Sequence, residues 1–184
     1  MTIYFITGNK HKLAEARLIL PDINSVELDL PEIQSLDPQK IIEAKLKEAC
    51  KNNEGEFFIE DVSLYLECMN GFPGPLVKWM LESIGREGIA DLVLHHKNHN
   101  ASVKAVIGYS NGKDTHFFTG EIKGKIVSPR GKEGFGFDPI FQPQDHNQTF
   151  AEMEISEKNQ VSHRDIALKK LKDFLQTHNK ENHQ

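Results

Sequence analysis

Glu60 and Asp61 are the residues best suited to acid–base or metal chemistry, two adjacent carboxylates closing the apolar run Phe57-Phe58-Ile59. The run is of strand type, because aromatic and β-branched side chains favour a pleated, half-buried surface. A strand that ends in acids sets charge at the rim of a sheet, where ligands of α/β folds bind. Successive side chains of a strand point to opposite faces, so both acids face one site only if a bulge or turn re-aims one of them. Asp61 is the expected working group, since the chain is expected to leave the strand there. Taken alone, the pair reads equally well as a solvated strand end, and its meaning depends on the rest of the chain.

The other groups able to do chemistry are cationic or aromatic. Thr7-Gly8-Asn9 leads into Lys10, His11 and Lys12. Three cations in a first helical turn oppose the macrodipole, which is already positive there. A bound anion would offset that cost, so the stretch reads as a phosphate cradle or, more plainly, as an exposed basic helix end. It is not a P-loop, which needs a glycine-rich run ending in Lys-Ser/Thr. Lys78 repeats the pattern after Pro75, and His163 and Arg164 repeat it near the C-terminus, with Lys158 just before them. Glu32 is a second acid at an expected strand end, and Lys45 lies off the apolar stripe of its helix. In Gly134-Phe135-Gly136-Phe137-Asp138-Pro139, glycines let a flat ligand approach the backbone. Phe135 or Phe137 then serves either as a stacking surface or as a loop anchor.

These groups need elements to place them. Ile3 to Ile6 reads as a first, buried strand, followed by a helix capped by Asn9, striped by Leu13, Ala16 and Leu20, and ended by Pro21. A second strand is expected over 26–30. Asp37-Pro38 pairs an N-cap with proline at the first helical position, and Ile42, Leu46, Ala49 and Cys50 form that helix's buried face. The Gly/Pro-dense stretch 70–75 reads as a rigid loop suited to a lid or substrate wall. Trp79 reads as core, and His95, His96 and His99 as surface residues. Asn111-Gly112 between two alternating runs is a strong hairpin signal, and Gly120 and Gly124 are read as bends in a long, twisted arm. Thr149 with Glu152 has the form of a capping box. The last helix buries Ala167, Leu171, Phe174 and Leu175.

Composition narrows the class. A chain of 184 residues is expected to form one domain. Its net charge of -5 argues against a nucleic-acid coat or a polybasic membrane patch, so any anion site must be local. No apolar run approaches the roughly 20 residues of a membrane span. Cys50 and Cys68, with no secretory signal, suggest free thiols in a reducing compartment, and the cytoplasm is the expected location.

From Thr7 to Phe174 the residues resemble the inosine triphosphate pyrophosphatases. The resemblance is carried by Thr7-Gly8-Asn9 with Lys12, Leu30-Pro31-Glu32, Glu60-Asp61, Gly71-Phe72-Pro73-Gly74-Pro75 with Lys78-Trp79, Pro129-Arg130-Gly131, Gly134 to Pro139, Phe150-Ala151-Glu152-Met153, and Lys158 with Ser162-His163-Arg164. Each motif is weak alone, and their order and spacing are specific together. The resemblance implies an α/β fold: a long twisted mixed β-sheet flanked by helices, with two lobes and the active-site cleft between them. It implies one pyrophosphatase domain over 1–177, with a frayed tail over 178–184. It implies hydrolysis of ITP, dITP or XTP by water attack at the α-phosphorus, giving monophosphate and pyrophosphate.

Thr7, Gly8, Asn9, Lys10 and Lys12 would hold the triphosphate, helped by Lys45, Lys78 and Lys158. Glu32, Asp61 and Glu60 would hold Mg²⁺, and Asp61 would also take the proton of the attacking water. Phe135, Phe137 and Asp138 would hold the base. His163 and Arg164 would read its edge, since a donor-only guanidinium donates to an oxygen at C6 and opposes an amino group. A homodimer is implied, and the long hairpin agrees with it. Two departures stand out: Val62-Ser63 follow the acids where relatives often carry Ser, Thr or Cys and then Gly, and Phe137 stands where Trp or Tyr is common. Two other readings remain open: a nucleotide-binding sensor without turnover, and a pyrophosphatase for other modified nucleotides.

Overall fold

A computed structural model of the protein describes residues 2–181. The chain divides into two compact units. One comprises Met1–Asp61, Ala105–Gly120 and His163–Gln184, the other Val62–Lys104 and Glu121–Ser162. The elements in order are β1 (Ile3–Ile6), α1 (Lys10–Ile19), β2 (Asn24–Val26), α2 (Pro38–Asn52), β3 (Glu56–Leu66), β4 (Pro73–Gly74), α3 (Val77–Leu94), β5 (Asn100–Ser110), β6 (Thr115–Ile126), β7 (Phe141–Pro143), α4 (Ile155–Val161) and α5 (His163–Glu181). Seven strands form one mixed sheet in the order β2-β1-β3-β5-β6-β7, with β4 beside β3. β1 runs parallel to β2 and β3, whereas the β3–β4 and β6–β7 pairs are antiparallel. The expected α/β class and mixed sheet are both present.

In the first unit, Ile6, Phe57, Ile59 and Val106 of the sheet pack on Ile42, Leu46 and Ala49, the expected buried face of α2. Asn9 caps α1, its side chain accepting from the N–H groups of His11 and Lys12, and Asp37 caps α2 through Gln39. The second strand is shorter and earlier than expected, ending at Val26, where the sequence suggested that it begins. The alternation of Val26, Leu28 and Leu30 with acids continues past it without forming strand, and Leu28 and Leu30 pack against the first unit's core. Gly120 lies in β6, beside the start of α5. A Cβ there would meet the His163 carbonyl oxygen at 2.0 Å, so glycine is needed for α5 to approach β6 closely. α5 continues through His178 to Glu181, and the His178 ring lies tilted at 32° against Phe174 with centroids 4.3 Å apart. The tail expected from 178 is therefore helical as far as Glu181, and residues 182–184 lie outside the described ones.

In the second unit, Leu64, Leu66, Val103 and Ile126 of the sheet pack on Val77, Ile89 and Val93 of α3 and on Phe137, Phe141 and Phe150. The Gly/Pro stretch is partly strand, since Pro73 and Gly74 pair with Tyr65 and Leu64. α3 breaks at Gly85, which adopts φ 68°. Trp79 is 45% exposed, contrary to its expected place in the core. It lies two positions after the inward-facing Val77 and one before Met80, so the helix turns it outward. The capping box of Thr149 and Glu152 forms as expected.

Candidate active site

The first unit brings a cation and two acids together through strand register. β1 pairs with β3 as far as Phe5 opposite Phe58, and β1 ends at Ile6. Glu60 and Asp61 therefore lie beyond the C-terminal end of β1, where α1 begins. They are not at the end of their own strand, because β3 continues to Leu66. The expectation that the chain leaves the strand at Asp61 fails because Leu64 and Leu66 extend the run into the second unit's core. The acids nevertheless reach a sheet rim, the rim made by the short β1.

Lys12, in the first turn of α1, places its Nζ 3.1 Å from Glu60 Oε2 and donates to the Glu60 carbonyl at 3.4 Å. Thr7 Oγ1 accepts the Asn9 N–H, and Asn9 Oδ1 accepts those of His11 and Lys12. The turn thus caps two of the helix's orphan donors itself, leaving side-chain cations to hold any anion. Lys10 is exposed. Lys45 of α2 lies 3.0 Å from Glu32, whose side chain is 43% exposed.

Arg164 occupies a place different from the expected edge-reading one. It is buried at the start of α5, donating from Nε to Glu60 Oε1 at 2.7 Å and from Nη1 to Glu15 Oε2. Burial alone would raise the Glu60 carboxyl above its ordinary value, but Arg164 and Lys12 reverse this and hold it at about 2. Glu60 is therefore a permanent anion engaged by two cations, which leaves it poorly suited to the metal role expected of it. His163, next to Arg164 in sequence, is likewise buried.

Asp61 is the counterpart. Its Oδ2 is buried with no hydrogen-bond partner. Burial pushes its carboxyl up to about 6. Lys12 and Lys45 oppose that rise, while Glu60 and Glu32 add to it. Among the described residues, no three His, Cys, Asp or Glu side chains form a ready metal cluster, so the triplet Glu32, Glu60 and Asp61 is not assembled. The orphaned oxygen of Asp61 still fits a hard cation such as Mg²⁺, which takes only one or two carboxylates alongside substrate phosphates. Glu32 is the neighbouring acid able to join it.

The second unit carries a separate group. Gly134 turns the chain at φ 77°, and Asp138 Oδ2 accepts both the Phe135 N–H at 2.9 Å and the Lys158 ammonium at 2.8 Å. Lys158 Nζ lies 5.1 Å from the Phe135 ring centroid and 5.6 Å from that of Phe150. Lys158 is thus part of the aromatic group, where a triphosphate role was expected. Phe135 is half-buried and presents ring surface, whereas Phe137 is buried in the core with Ile140 and Phe141. Of the two expected stacking rings, Phe137 is therefore the anchor. Lys78 lies at the start of α3 with its Nζ 5.0 Å from the Trp79 ring centroid.

Glu15 was not among the sequence-derived candidates, yet it is 6% exposed and bonded to Arg164. Its signal is an acid three residues after Lys12 and four before the buried Ile19, which sets all three along one side of α1.

Known proteins resemble this chain closely. A profile of the Ham1 family matches residues 3–174. An inosine triphosphate pyrophosphatase of Schizosaccharomyces pombe is 43% identical over 181 residues, covering 96% of each chain. A dITP/XTP pyrophosphatase of Thermococcus kodakarensis is 39% identical over 180 residues, covering 95% of this chain and 97% of its own. The Staphylococcus aureus Ham1 protein has a similar fold, with a TM-score of 0.77 at 24% identity, over 97% of this chain and 100% of that one.

Proposed function

The chain belongs to the Ham1 family, and from that premise we propose that it is a nucleoside triphosphate pyrophosphatase cleansing the nucleotide pool. Its substrates are ITP, dITP and XTP, cleaved between the α- and β-phosphates to the monophosphate and pyrophosphate. The observation that carries this reading is Asp61, a half-buried carboxylate whose Oδ2 is buried and unpartnered, with the charges of Lys12 and Lys45 upon it.

Phosphoryl chemistry is chiefly positioning and charge neutralisation. Lys12 and Lys45 bind phosphate oxygens, with the Thr7 to Lys10 turn shaping the approach. Lys12 keeps its contact with Glu60, and Lys45 leaves Glu32, as the more highly charged triphosphate arrives. Asp61, and Glu32 once released, would hold Mg²⁺, which when bound neutralises phosphate charge that carboxylates alone would repel. Asp61 orients the attacking water and accepts its proton. A carboxyl raised to about 6 is still ionised at neutral pH and is a stronger base than an ordinary one. Phe135 offers a surface for the purine. Lys158, a donor-only ammonium beside it, suits a purine with oxygen at C6 and opposes a 6-amino group.

We also place the protein in the cytoplasm as a homodimer. The thiols of Cys50 and Cys68 are unpaired, and Phe72, Trp79 and Ile84 expose apolar surface that a second copy would cover. The test is pyrophosphate release from ITP, XTP, GTP, ATP and pyrimidine triphosphates, with Mg²⁺ and with chelator. Release restricted to ITP and XTP and lost on chelation is expected. Tight ITP binding without release would favour a sensor, and turnover of a different nucleotide set would reassign the substrate.

A further inference from the structure

Four charged side chains of the first unit form an alternating series. Glu15 pairs with Arg164, Arg164 with Glu60 at 2.7 Å, and Glu60 with Lys12 at 3.1 Å. The series starts and ends on α1, passing through α5 and β3. Its formal charges sum to zero. Glu15, Glu60 and Arg164 are all buried, while the Lys12 side chain keeps 20% of its surface exposed. Lys12 is thus the member through which the series meets solvent.

We propose that Glu15 is a positioning residue, fixing the Lys12 ammonium through Arg164 and Glu60 so that an arriving polyphosphate meets a cation already in place. This rests on the reading of Lys12 as a triphosphate-binding group. A lysine side chain has considerable rotamer freedom to lose on binding an anion, and anchoring it beforehand removes that loss from the binding step. Glu15 divides the Arg164 guanidinium with Glu60. When Glu15 loses its charge, Arg164 loses one of the carboxylates it is bonded to and competes more strongly with Lys12 for Glu60. The ammonium then leaves its set position, although Glu15 itself contacts no ligand.

The experiment is a double-mutant cycle of Glu15→Gln and Lys12→Ala. It reads the KM and kcat for ITP with Mg²⁺ and, independently of turnover, the Kd of pyrophosphate by calorimetry. Glu15→Gln in the otherwise unchanged protein is expected to raise KM and Kd about tenfold, with kcat within about twofold. In the Lys12→Ala background the same change should shift either constant by less than about twofold, because coupling through Lys12 is gone. An equal effect in both backgrounds, or none in either, overturns the proposal. Melting curves monitor folding, and if Glu15→Gln does not fold, Glu15→Asp replaces it in the same cycle. A protein that binds pyrophosphate but leaves ITP intact sinks the pyrophosphatase reading alone, and the cycle is then read from Kd. A protein that does not bind pyrophosphate overturns the role of Lys12 and this inference with it.

Discussion

Lys158 donates to Asp138 Oδ2 at 2.8 Å, and the same oxygen accepts the backbone N–H of Phe135 at 2.9 Å. One carboxylate oxygen thus holds both a buried ammonium and the loop that presents the Phe135 ring. Asp138→Ala strands Lys158 without its anion, and Lys158→Met strands Asp138. Each is expected to destabilise the protein by about 3–5 kcal/mol, and the two together by less than their sum. Urea denaturation of the two single variants and the double variant checks this.

Asp61→Asn is expected to abolish most pyrophosphate release while stabilising the metal-free protein. The folded carboxyl titrates at about 6 against an ordinary 3.8, so the folded state favours its protonated form. That contribution is fully present below pH 3.8 and is lost as pH rises through 6. The wild type therefore loses up to about 3 kcal/mol across this window that Asn retains. Melting temperatures of both proteins should lie closest near pH 4 and diverge towards pH 7.5. Turnover should fall by ~10²–10⁴ if Asp61 takes the proton.

Glu60 has the opposite sign. Held at about 2 against an ordinary 4.5, its carboxylate contributes stability that is present above pH 4.5 and lost as pH falls towards 2. Glu60→Gln should lower stability at pH 7, by about 3–5 kcal/mol, because Arg164 and Lys12 lose their shared anion. The deficit should shrink on acidification below pH 4.5. Chemical denaturation at pH 7, 4.5 and 3 measures it.

Gly120→Ala is expected to destabilise by about 1–3 kcal/mol or more, since the added methyl meets the His163 carbonyl and the Ala167 N–H, both backbone atoms that cannot rotate away. The displaced turn carries Arg164, so KM for ITP should rise as well. Gly112→Ala offers a control: its φ of 88° is strained for alanine, but nothing lies within 4 Å of the new Cβ. It should cost stability while leaving KM unchanged.

Local chemistry was legible in the sequence. Asn9 and Asp37 as helix caps, the Thr149–Glu152 box, the Asn111-Gly112 hairpin and the buried face of α2 all follow from interactions within a few residues, and the structure has each of them. The order of the motifs also marked the family, because such a series of weak signals recurs together only in relatives. What sequence reasoning misplaced depends on partners far along the chain. Arg164 looked like a reader of ligand edges until its guanidinium was found on Glu15 and Glu60, 149 and 104 residues away. Whether Phe135 or Phe137 keeps accessible ring surface is decided by which one Ile140 and Phe141 enclose. Asp61 owes its raised carboxyl to burial and to the surrounding charges, and no spacing rule encodes burial. Sequence alone determined which groups were available and where the chain turns; the tertiary structure decided which charges neutralise one another and which are left for a ligand, because Coulombic pairing depends on distance in space and on removal from water, neither of which follows from separation along the chain.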